Sequence, residues 1–431
     1  MNRFQLALSA CLPVFAMLGA TPGAAKPAAG AEASMRALYA SRPFDVARKS
    51  LAADYDRMVS EITTLTEIPA PPFKEAKRAA AYLEMLRAAG LQDVEMDAEG
   101  NVMGLRKGTG GGPLLVVAAH LDTVFPEGTP IKVRREGDYL HAPGIGDDTS
   151  SLPVLLAFIR ALDKAGIRTR SDILFMGDVG EEGPGDLRGM RHLFTKGKYK
   201  GRIAQFISIE PGRDRVTNGG VGSKRYKVTF TGPGGHSYGA FGLVSPAYAM
   251  GDAIVEFGKM KVPAHPRTTF NVGVVEGGTS VNSIPFETAM TVDMRSESKD
   301  ELAKADAYLH SILPGAVDRE NAARSTARGK ISYEAKLIGD RPVGHTADDN
   351  ALVRTAYAAI AVGGGKPELE SSSTDANMPM SLGIPAITIG SGFASERSHS
   401  PGERLKLDRE DTLRYMTMSL ATVIGAAGIA K

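Results

Sequence analysis

Short apolar segments alternate with longer amphipathic ones along most of this sequence, and this alternation limits the fold more than any other feature. PLLVVAAH (113–120), DILFMG (172–177) and IAQFISIE (203–210) are apolar runs of strand length. SSLPVLLAFIRALDKAG (150–166) has the length and pattern of a helix, and residues 37–68 are predicted as one helix that ends at the prolines of IPAPPF. The alternation predicts an α/β fold with a mixed central sheet flanked by helices, in which ligands bind where strands end.

The order of elements changes in the middle of the chain. The strands are predicted in KRYKVTFTG, TTFNVGVVEGG, PFETAMTVDMRS and GKISYEAKLIG, and the helices in SPAYAMGDAIVEFGKM and DELAKADAYLHSIL. Their succession, strand-helix-strand-strand-helix-strand, is the ferredoxin-like order. After Pro342 the first pattern returns. We therefore expect residues 224–339 to form a small α+β domain inserted into a larger domain made of residues 36–223 and 340–431.

The N-terminal segment has the features of a secretory signal. Arg3 precedes an apolar run over residues 4–20, and small residues follow. This pattern predicts removal of residues 1–25 and export, so that the protein is periplasmic or secreted. A proline, a glycine and the shortness of the run argue against a transmembrane anchor. LSAC, ending at Cys11, also resembles a lipoprotein cleavage box, although few residues precede it.

Charge and cysteine content narrow the classes of partner and cofactor. The formal net charge of the 431 residues is +2, which gives no reason to expect nucleic acid or an anionic membrane surface as a partner. Cys11 is the only cysteine, and it lies in the predicted signal. Disulfides and thiolate metal sites are therefore excluded from the mature chain, and any metal must be held by His, Asp and Glu.

One histidine ends an apolar strand and has an acid two residues later. Because side chains two apart on a strand face the same way, Asp122 is expected beside His120. A carboxylate that accepts the second imidazole N–H is the usual way to orient a histidine that binds metal. A solvated histidine at a strand end is the ordinary alternative.

Further acids and a second histidine also follow apolar runs or stand in glycine- and proline-marked loops. They are Asp147, Asp148, Glu181, Glu182, Glu210 and His399. Each has an ordinary explanation alone, such as a helix N-cap or an exposed loop. Together, two neutral imidazoles and the carboxylates of Asp147, Glu182 and Glu210 would offer a charge of −3 to two divalent ions. Nitrogen and oxygen donors without thiolate suit zinc, with cobalt or manganese as alternatives.

The motifs around these residues resemble those of the co-catalytic di-zinc exopeptidase and deacylase family. In chain order they are HLDTVFP, GIGDD, GEEG, ISIEPG, GPGGHSYG, GGTSVNSIP, STDA and SHSPGE, and they span residues 120–403. The family includes peptidase T, glutamate carboxypeptidase, aminoacylase, acetylornithine deacetylase and succinyl-diaminopimelate desuccinylase. The longer sequences HLDTVFPEGT and GDVGEEGPGDLRGMRHLF look most similar to those of peptidase T-like members.

The resemblance implies a role for each of these positions. The metal ligands would be His120, Asp147, Glu182, Glu210 and His399, holding two zinc ions. Asp147 would bridge both ions and would be joined to Asp148 by a cis peptide bond. Glu181 would act as the general base, taking a proton from water and passing it to the leaving amine. Asp122 would support the ligand histidine.

The inserted domain resembles the family's lid and dimerisation domain. His236 is similar to a histidine that reaches the partner subunit's active site and stabilises an oxyanion. Asn282 and Arg295 resemble residues that hold the substrate, Arg295 on a carboxylate. A homodimer is therefore expected. Two departures leave the substrate open: Thr149 stands where many relatives have lysine, and residues 371–373 are serines where glycines are common.

The sequence thus predicts an exported di-zinc hydrolase that cleaves the amide bond of small peptides. An N-acyl amino acid deacylase with the same metal centre is the first alternative. GHSYG also fits the nucleophile elbow of serine hydrolases, with Ser237, Asp375 and His399 as a triad, but the preceding TGPGG interrupts the strand that an elbow needs. A secreted binding protein without turnover is a third alternative, against which the intact Glu181 argues.

Overall fold

A computed structural model of the chain describes residues 29–110 and 112–430. The predicted signal, residues 1–25 with Cys11, lies outside the described residues. In chain order the helices are α1 Ala29–Tyr39, α2 Arg42–Thr66, α3 Ala76–Ala88, α4 Ser151–Lys164, α5 Arg188–Thr195, α6 Pro246–Phe257, α7 Lys299–Ala323, α8 Ala351–Val362, α9 Asn377–Ser381 and α10 Arg409–Ala427. Among these described helices, none combines the length and the apolar character needed to cross a membrane.

Nineteen strands form four sheets within the described residues. In chain order they are β1 Gln92–Met96, β2 Val102–Arg106, β3 Leu114–His120, β4 Arg134–Glu136, β5 Tyr139–His141, β6 Ile173–Asp178, β7 Ile203–Glu210, β8 Arg215–Gly220, β9 Gly222–Thr231, β10 Gly235–His236, β11 Thr268–Gly277, β12 Ser283–Ile284, β13 Glu287–Ser296, β14 Ser332–Arg341, β15 Gly344–His345, β16 Glu368–Ser372, β17 Ala386–Gly390, β18 Ala394–Glu396 and β19 Arg404–Lys406.

The largest sheet has the strand order β1-β2-β6-β3-β7-β17-β8-β15, with β16 also paired to β8. Its central strands β6, β3, β7 and β17 run parallel, while both sides of the sheet carry antiparallel pairs. β3 and β6 are buried along their whole length, as expected for apolar parallel strands covered on both faces. The predicted mixed central sheet is therefore confirmed.

Helices cover the large sheet on both faces. One face packs against α2, α3, α4, α8 and α10, and α4 is buried almost all round, with Leu155, Phe158 and Leu162 inaccessible to solvent. The other face packs against α5 and α9, where Met190 and Phe194 are buried. We call this sheet with its helices and loops the large unit.

The second unit is built on the four-stranded sheet β11-β13-β9-β14, in which all pairs are antiparallel. Helices α6 and α7 pack on one face of it around a separate apolar core that includes Val228, Phe230, Met290 and Met294. Numbered along the chain, its strands lie in the order 2-3-1-4, which confirms the predicted ferredoxin-like arrangement. We call this the small unit; β9 begins at Gly222 and β14 ends at Arg341.

Two predicted helices have different bounds in the structure. The segment predicted as one helix over residues 37–68 consists of α1 and α2, because Ser41 caps a new helix by accepting the Phe44 N–H at 3.3 Å. α7 continues past Pro314 to Ala323, where the predicted helix stops at residue 313. Apolar side chains on the core side of α7 continue beyond the proline, so tertiary packing outweighs the lost backbone hydrogen bond.

Candidate metal centre

A cleft of about 620 Å³ lies where the large sheet's parallel strands end, below the small unit. From the large unit it is lined mainly by His120, Val124, Asp147, Glu181, Glu182, Glu210, Ser372, Ser373 and His399. From the small unit it is lined by Arg225, Asp293, Arg295 and Arg341. All five predicted metal ligands and the predicted base therefore face one space, together with Arg295.

The parallel strands explain why residues so far apart in sequence meet here. His120 is the last residue of β3, Glu210 is the last residue of β7, and Glu181 and Glu182 follow β6. Since β3, β6 and β7 are parallel neighbours, their carboxyl ends lie at the same edge of the sheet.

Asp147 lies between the two histidines and faces each with a different oxygen. Its Oδ1 is 3.1 Å from His120 Nε2, and its Oδ2 is 3.2 Å from His399 Nε2. Glu182 Oε1 lies 2.9 Å from the same His399 nitrogen. The peptide bond between Asp147 and Asp148 is cis. One carboxylate thus connects two groups of donors.

A small sheet, β18-β19-β5-β4, brings His399 to Asp147. β5 leads into the turn that carries Asp147, and His399 lies in the loop between β18 and β19. Glu403, at the end of that loop, is 1 % exposed and accepts the backbone N–H groups of Gly144, Gly146 and Asp147 at 2.8, 2.9 and 3.0 Å. Glu403 therefore ties the two loops together, a role that the SHSPGE motif did not suggest.

Asp122 supports the adjacent glutamates more directly than it supports His120. Its two carboxylate oxygens accept the N–H groups of Glu181 and Glu182 at 3.0 and 2.9 Å. The Nδ1 atom of His120 lies 3.0 Å from the backbone carbonyl oxygen of Asp122 and 3.6 Å from its carboxylate. A separation of 3.6 Å is too long for a hydrogen bond, so the carbonyl is the partner of His120 Nδ1.

Glu181 is paired with Arg341, an arginine that was not predicted from the sequence as a site residue. Arg341 Nη1 donates to Glu181 Oε1 at 2.7 Å, and Arg341 Nη2 donates to the Glu181 backbone carbonyl. Both side chains are almost fully buried. Burial raises the pKa of Glu181, and the charge of Arg341 opposes that rise. The guanidinium also donates to Ser373 Oγ at 3.1 Å.

The donor set fits two divalent cations. Ligand atoms of Asp147, Glu182 and His399 lie within 4.8 Å of one another, as do those of His120, Glu181 and Glu182. Glu210 belongs to neither of these groups, but it lines the same cleft. Burial raises the pKa of Glu210, and the nearby charges of Asp147 and Glu181 raise it further. A cluster in which carboxylates repel one another in this way is stabilised by positive charge.

The pKa of His399 leads to the same conclusion. Hydrogen bonds to Asp147 and Glu182 raise the pKa of His399 to about 10. The carboxylates that favour a proton on this imidazole would equally favour a metal ion on it. The described residues include no cysteine, and imidazole and carboxylate donors of this kind suit zinc.

His236 and Asn282 lie together, but not in this cleft. His236 belongs to the two-residue strand β10, which pairs with β12 directly after Asn282. His236 Nδ1 accepts the N–H groups of Tyr238 and Gly239 at 3.2 and 3.3 Å, and both predicted residues are exposed. Neither lines the cleft among the described residues.

The serine-hydrolase alternative has no support in this geometry. Ser237 sits in the same exposed ribbon as His236, and it is outside the cleft lining. His399 directs Nε2 to Asp147 and Glu182, which is the geometry of a metal ligand rather than of a base beside a serine.

The sequence analysis also did not identify a second buried arginine, Arg78, which contacts the loops that follow His120 and Asp148. Arg78 in α3 is 2 % exposed and donates to the carbonyl of Leu121 at 2.8 Å and to Thr149 Oγ1 at 3.0 Å. Thr149, noted above as a departure from many relatives, thus binds a guanidinium. Its position in the sequence could have indicated burial, because Arg78 lies one turn before Tyr82 on the buried face of the same helix.

Comparison with known proteins agrees with this geometry. Residues 116–425 match peptidase family M20/M25/M40. The chain is 25% identical over 347 residues to carboxypeptidase G2 of Pseudomonas sp. (strain RS-16), covering 76% of this chain and 77% of the relative. It is also 25% identical over 344 residues to a putative succinyl-diaminopimelate desuccinylase of Mycobacterium tuberculosis, covering 76% and 88%. The solved aminopeptidase PepT of Bacillus cereus has a similar fold, with a TM-score of 0.69, 22% identity and coverage of 87% and 99%.

Proposed function

Since the chain belongs to peptidase family M20/M25/M40, and is a metallohydrolase that acts on peptides or acyl amino acids, we propose that it cleaves the terminal amide bond of small peptides. The proposal includes two zinc ions per subunit, Glu181 as the general base, and a homodimer exported from the cytoplasm.

The position of the Asp147 carboxylate is the main support for a hydrolysis that uses two metal ions. The two oxygens of Asp147 face two different histidines, at 3.1 and 3.2 Å, in a cleft where Glu181 and Glu182 also lie. This is the donor arrangement of a bridging carboxylate between two metal ions, with a further carboxylate left over for proton transfer. A simple structural ion pair would not need so many acids in one cleft.

Each ion would have its own ligands in this arrangement. His120, Asp147 and Glu210 would hold one ion, and Asp147, Glu182 and His399 would hold the other. When bound, the two ions would acidify a shared water and polarise the carbonyl of the scissile amide.

Glu181 is placed to move the proton. Its Oε1 is occupied by Arg341 at 2.7 Å, which leaves Oε2 to accept a proton from the attacking water and to return it to the leaving amine nitrogen. The pKa of Glu181, raised by burial, brings its proton affinity closer to that needed for both steps. Asp122 holds the backbone of Glu181 and Glu182 in place for this work.

The base assignment is tested with a Glu181→Gln variant. Turnover of a cleaved peptide is expected to fall about 10²- to 10⁴-fold, because an amide cannot take the proton. Metal analysis is expected to give the same two ions per subunit as in the wild type. Glu127→Gln, an exposed surface change, serves as control. Wild-type turnover in Glu181→Gln would remove Glu181 from the proposed role.

The choice between peptides and N-acyl amino acids rests on the extended sequence similarity to peptidase T-like members. The named relatives include a carboxypeptidase and a putative desuccinylase. Both kinds of reaction use the same metal donors, so a screen of di- and tripeptides against N-acyl amino acids, with zinc-loaded protein, decides between them. Turnover of acyl amino acids alone would replace peptidase by deacylase.

An apolar surface beside His236 supports the homodimer. Tyr238, Phe241, Val281 and Phe286 are all more than half exposed and surround the ribbon β10–β12. Exposed apolar groups of this kind mark interaction sites. A second copy of the chain would cover them and would bring His236 to the partner's cleft, since His236 does not line the cleft of its own subunit.

Export rests on the sequence of the first 25 residues. The intact mass of protein recovered from the periplasm or the medium tests it, because removal of the signal shortens the chain near Ala25. A full-length mass with the protein in the cytoplasm would contradict export.

A further inference from the structure

We propose that Arg78 is a positioning residue of the metal centre. Its buried guanidinium joins the segments that carry His120 and Asp147, and its charge attracts Asp122, which holds the backbone of the two glutamates. Arg78 is not among the described residues that line the cleft, so it acts through the residues that it holds. The inference rests on the proposed function, because the residues that Arg78 positions are proposed metal ligands and the proposed base.

The Arg78 guanidinium uses each of its nitrogens in hydrogen bonds. The carbonyl oxygen of Ile68 accepts from Nε at 3.0 Å and from Nη2 at 2.8 Å. A longer contact of 3.5 Å joins Nη2 to the Thr66 carbonyl oxygen. Nη1 donates to the Leu121 carbonyl at 2.8 Å and to Thr149 Oγ1 at 3.0 Å. Because the N–H groups of a guanidinium form a rigid planar fork, these contacts fix the acceptors relative to one another.

The oxygens that Arg78 binds belong to three separate segments of the large unit. The first two are carbonyl oxygens at the end of α2 and just after it. The third belongs to the residue directly after His120, and the fourth belongs to the residue two positions after Asp147. Asp148 also joins these two stretches, since its Oδ2 accepts the His120 N–H at 3.0 Å. Arg78 therefore connects the segments of two proposed ligands to each other and to a helix of the core.

Arg78 is a buried positive charge whose hydrogen bonds all end on neutral oxygens. Burial lowers the pKa of Arg78 to about 10, and the negative charge of Asp122 opposes that fall. The guanidinium is therefore charged at neutral pH. A buried charge is costly unless an opposite charge compensates it, and Asp122, itself inaccessible to solvent, supplies that charge.

Asp122 transmits the effect of this charge to the two glutamates. Its carboxylate oxygens accept the N–H groups of Glu181 and Glu182 at 3.0 and 2.9 Å. Attraction between the guanidinium of Arg78 and the carboxylate of Asp122 is effective because both groups are buried, where water and salt screen charges little. The position of Asp122, and through it that of the two glutamates, therefore depends on Arg78.

Arg78 and Glu403 hold Asp147 from the two directions of the chain. Glu403 accepts the N–H of Asp147 at 3.0 Å, together with N–H groups of the turn before it. Arg78 binds Thr149, which lies beyond the peptide bond between Asp147 and Asp148. Both supporting side chains are almost fully buried. Buried polar groups of this kind fix the orientation of the residues that bind a metal.

The test removes the guanidinium and then returns a charge from the position that it contacts. In Arg78→Met the affinity for zinc, measured by calorimetry, is expected to fall about 10- to 100-fold. The double variant Arg78→Met/Thr149→Lys supplies an ammonium group from Thr149's position, and it is expected to bind zinc at least about tenfold more tightly than Arg78→Met. Thr149→Val keeps Arg78 but removes one acceptor, so a fall of about three- to tenfold is expected. This milder variant tests the inference even if Arg78→Met does not fold.

Tyr82→Phe is the matched control, because Tyr82 lies one turn after Arg78 on the same buried face of α3. Its hydroxyl donates to the Leu152 carbonyl of α4 at 2.9 Å, away from the segments that Arg78 joins. Urea unfolding of each metal-free variant measures its loss of stability. Tyr82→Phe is expected to unfold at lower urea than the wild type and to keep the wild-type affinity for zinc, which separates positioning from stability alone.

The outcomes distinguish failure of this inference from failure of the proposed function. A wild type that binds zinc and hydrolyses an amide, with Arg78→Met and Thr149→Val at the same zinc affinity, would overturn the inference alone. A double variant that binds zinc no more tightly than Arg78→Met would also overturn it, as would a loss of affinity in Tyr82→Phe equal to that in Arg78→Met. A wild type that binds no zinc and hydrolyses no amide would overturn the proposed function itself.

Discussion

Glu181 and Glu182 are neighbours in sequence, yet their carboxylates have different partners. Glu181 Oε1 is 2.7 Å from Arg341 Nη1, and Glu182 Oε1 is 2.9 Å from His399 Nε2. Asp122 accepts the backbone N–H of both. Repulsion between the adjacent charges is therefore offset by a guanidinium on one side and by an imidazole, or a metal ion, on the other. In the proposed mechanism, this separation of partners would let Glu182 bind metal and Glu181 transfer a proton.

At this scale we expect Arg341 to set the pH range of activity. In Arg341→Met the positive charge that opposes the rise in the pKa of Glu181 is lost, so this pKa rises further. Because the base must be deprotonated, the acidic limb of the kcat–pH profile is expected to move to higher pH, by about one unit or more. The profile is measured with the best peptide from the screen.

Arg328→Met is the control for this change, because Arg328 is an exposed arginine of the same unit. A shifted limb in Arg341→Met and an unshifted one in Arg328→Met would support the assignment. An acidic limb at the wild-type position in Arg341→Met would show that Arg341 does not act on the base. Thermal unfolding of both variants distinguishes this effect from loss of the fold.

At the scale of elements, two short loops rather than long strands position two of the five proposed metal ligands. The turn before α4 carries Asp147, and the loop between β18 and β19 carries His399. Glu403 joins them through three backbone N–H groups, and the small sheet β18-β19-β5-β4 holds the two loops together. Precise placement of ligands by buried supporting groups is what a metal site needs.

Glu403→Gln is expected to weaken metal binding about 10- to 100-fold. The amide can still accept two N–H groups through one oxygen, but its NH₂ group faces the N–H of Gly144 and leaves it unsatisfied. That loss is expected to cost about 1–3 kcal/mol in the free energy of unfolding. Zinc titration by calorimetry and urea unfolding of the metal-free protein measure the two effects.

Glu396→Gln is a matched control, because Glu396 lies in β18 and makes a partly exposed ion pair with Arg404. A change of about 0–1 kcal/mol and an unchanged zinc affinity are expected there. Equal zinc affinities for wild type and Glu403→Gln would mean that the two loops do not depend on Glu403.

At the scale of the whole molecule, the cleft is built by two units that have separate cores. The large unit supplies the predicted metal ligands and Glu181, and the small unit supplies Arg225, Asp293, Arg295 and Arg341. The ribbon that carries His236 does not line this cleft in the single chain. In the proposed dimer His236 would serve the partner's site, and this would give the ribbon a part in the reaction.

Mixed dimers test this arrangement. His236→Ala and Glu181→Gln homodimers are each expected to be nearly inactive. In a mixed dimer, the subunit with intact Glu181 receives His236 from its partner, so one site of two is complete. Random reassociation of equal amounts is expected to restore about a quarter of wild-type activity, because half of the dimers are mixed.

Activity and sedimentation velocity follow the exchange. A mixture no more active than its two components, at a sedimentation coefficient that shows dimers, would rule out a role for His236 in the partner's site. A monomeric protein with full activity would remove the dimer from the proposal.

Much of the fold could be predicted because its signals are local. Apolar runs predicted β3, β6 and β7, and the strand-helix order predicted the ferredoxin-like unit. The two errors in helix bounds arose because these predictions used only local signals. A capping serine divided one predicted helix, and packing of α7 carried it past Pro314. Periodicity describes what a segment prefers, whereas the final bounds also depend on what the segment packs against.

The sequence by itself determined which side chains could hold metal, because His, Asp and Glu next to strand ends are visible without coordinates. It did not determine which partners these side chains meet. Arg341 and Glu181 are 160 residues apart, and Gly144 and Glu403 are 259 apart. Such pairs form only when separate elements pack together. Hence the tertiary structure alone decided that Arg341 pairs with the proposed base, that Asp122 accepts the backbone N–H groups of the two glutamates, and that His236 does not line its own cleft.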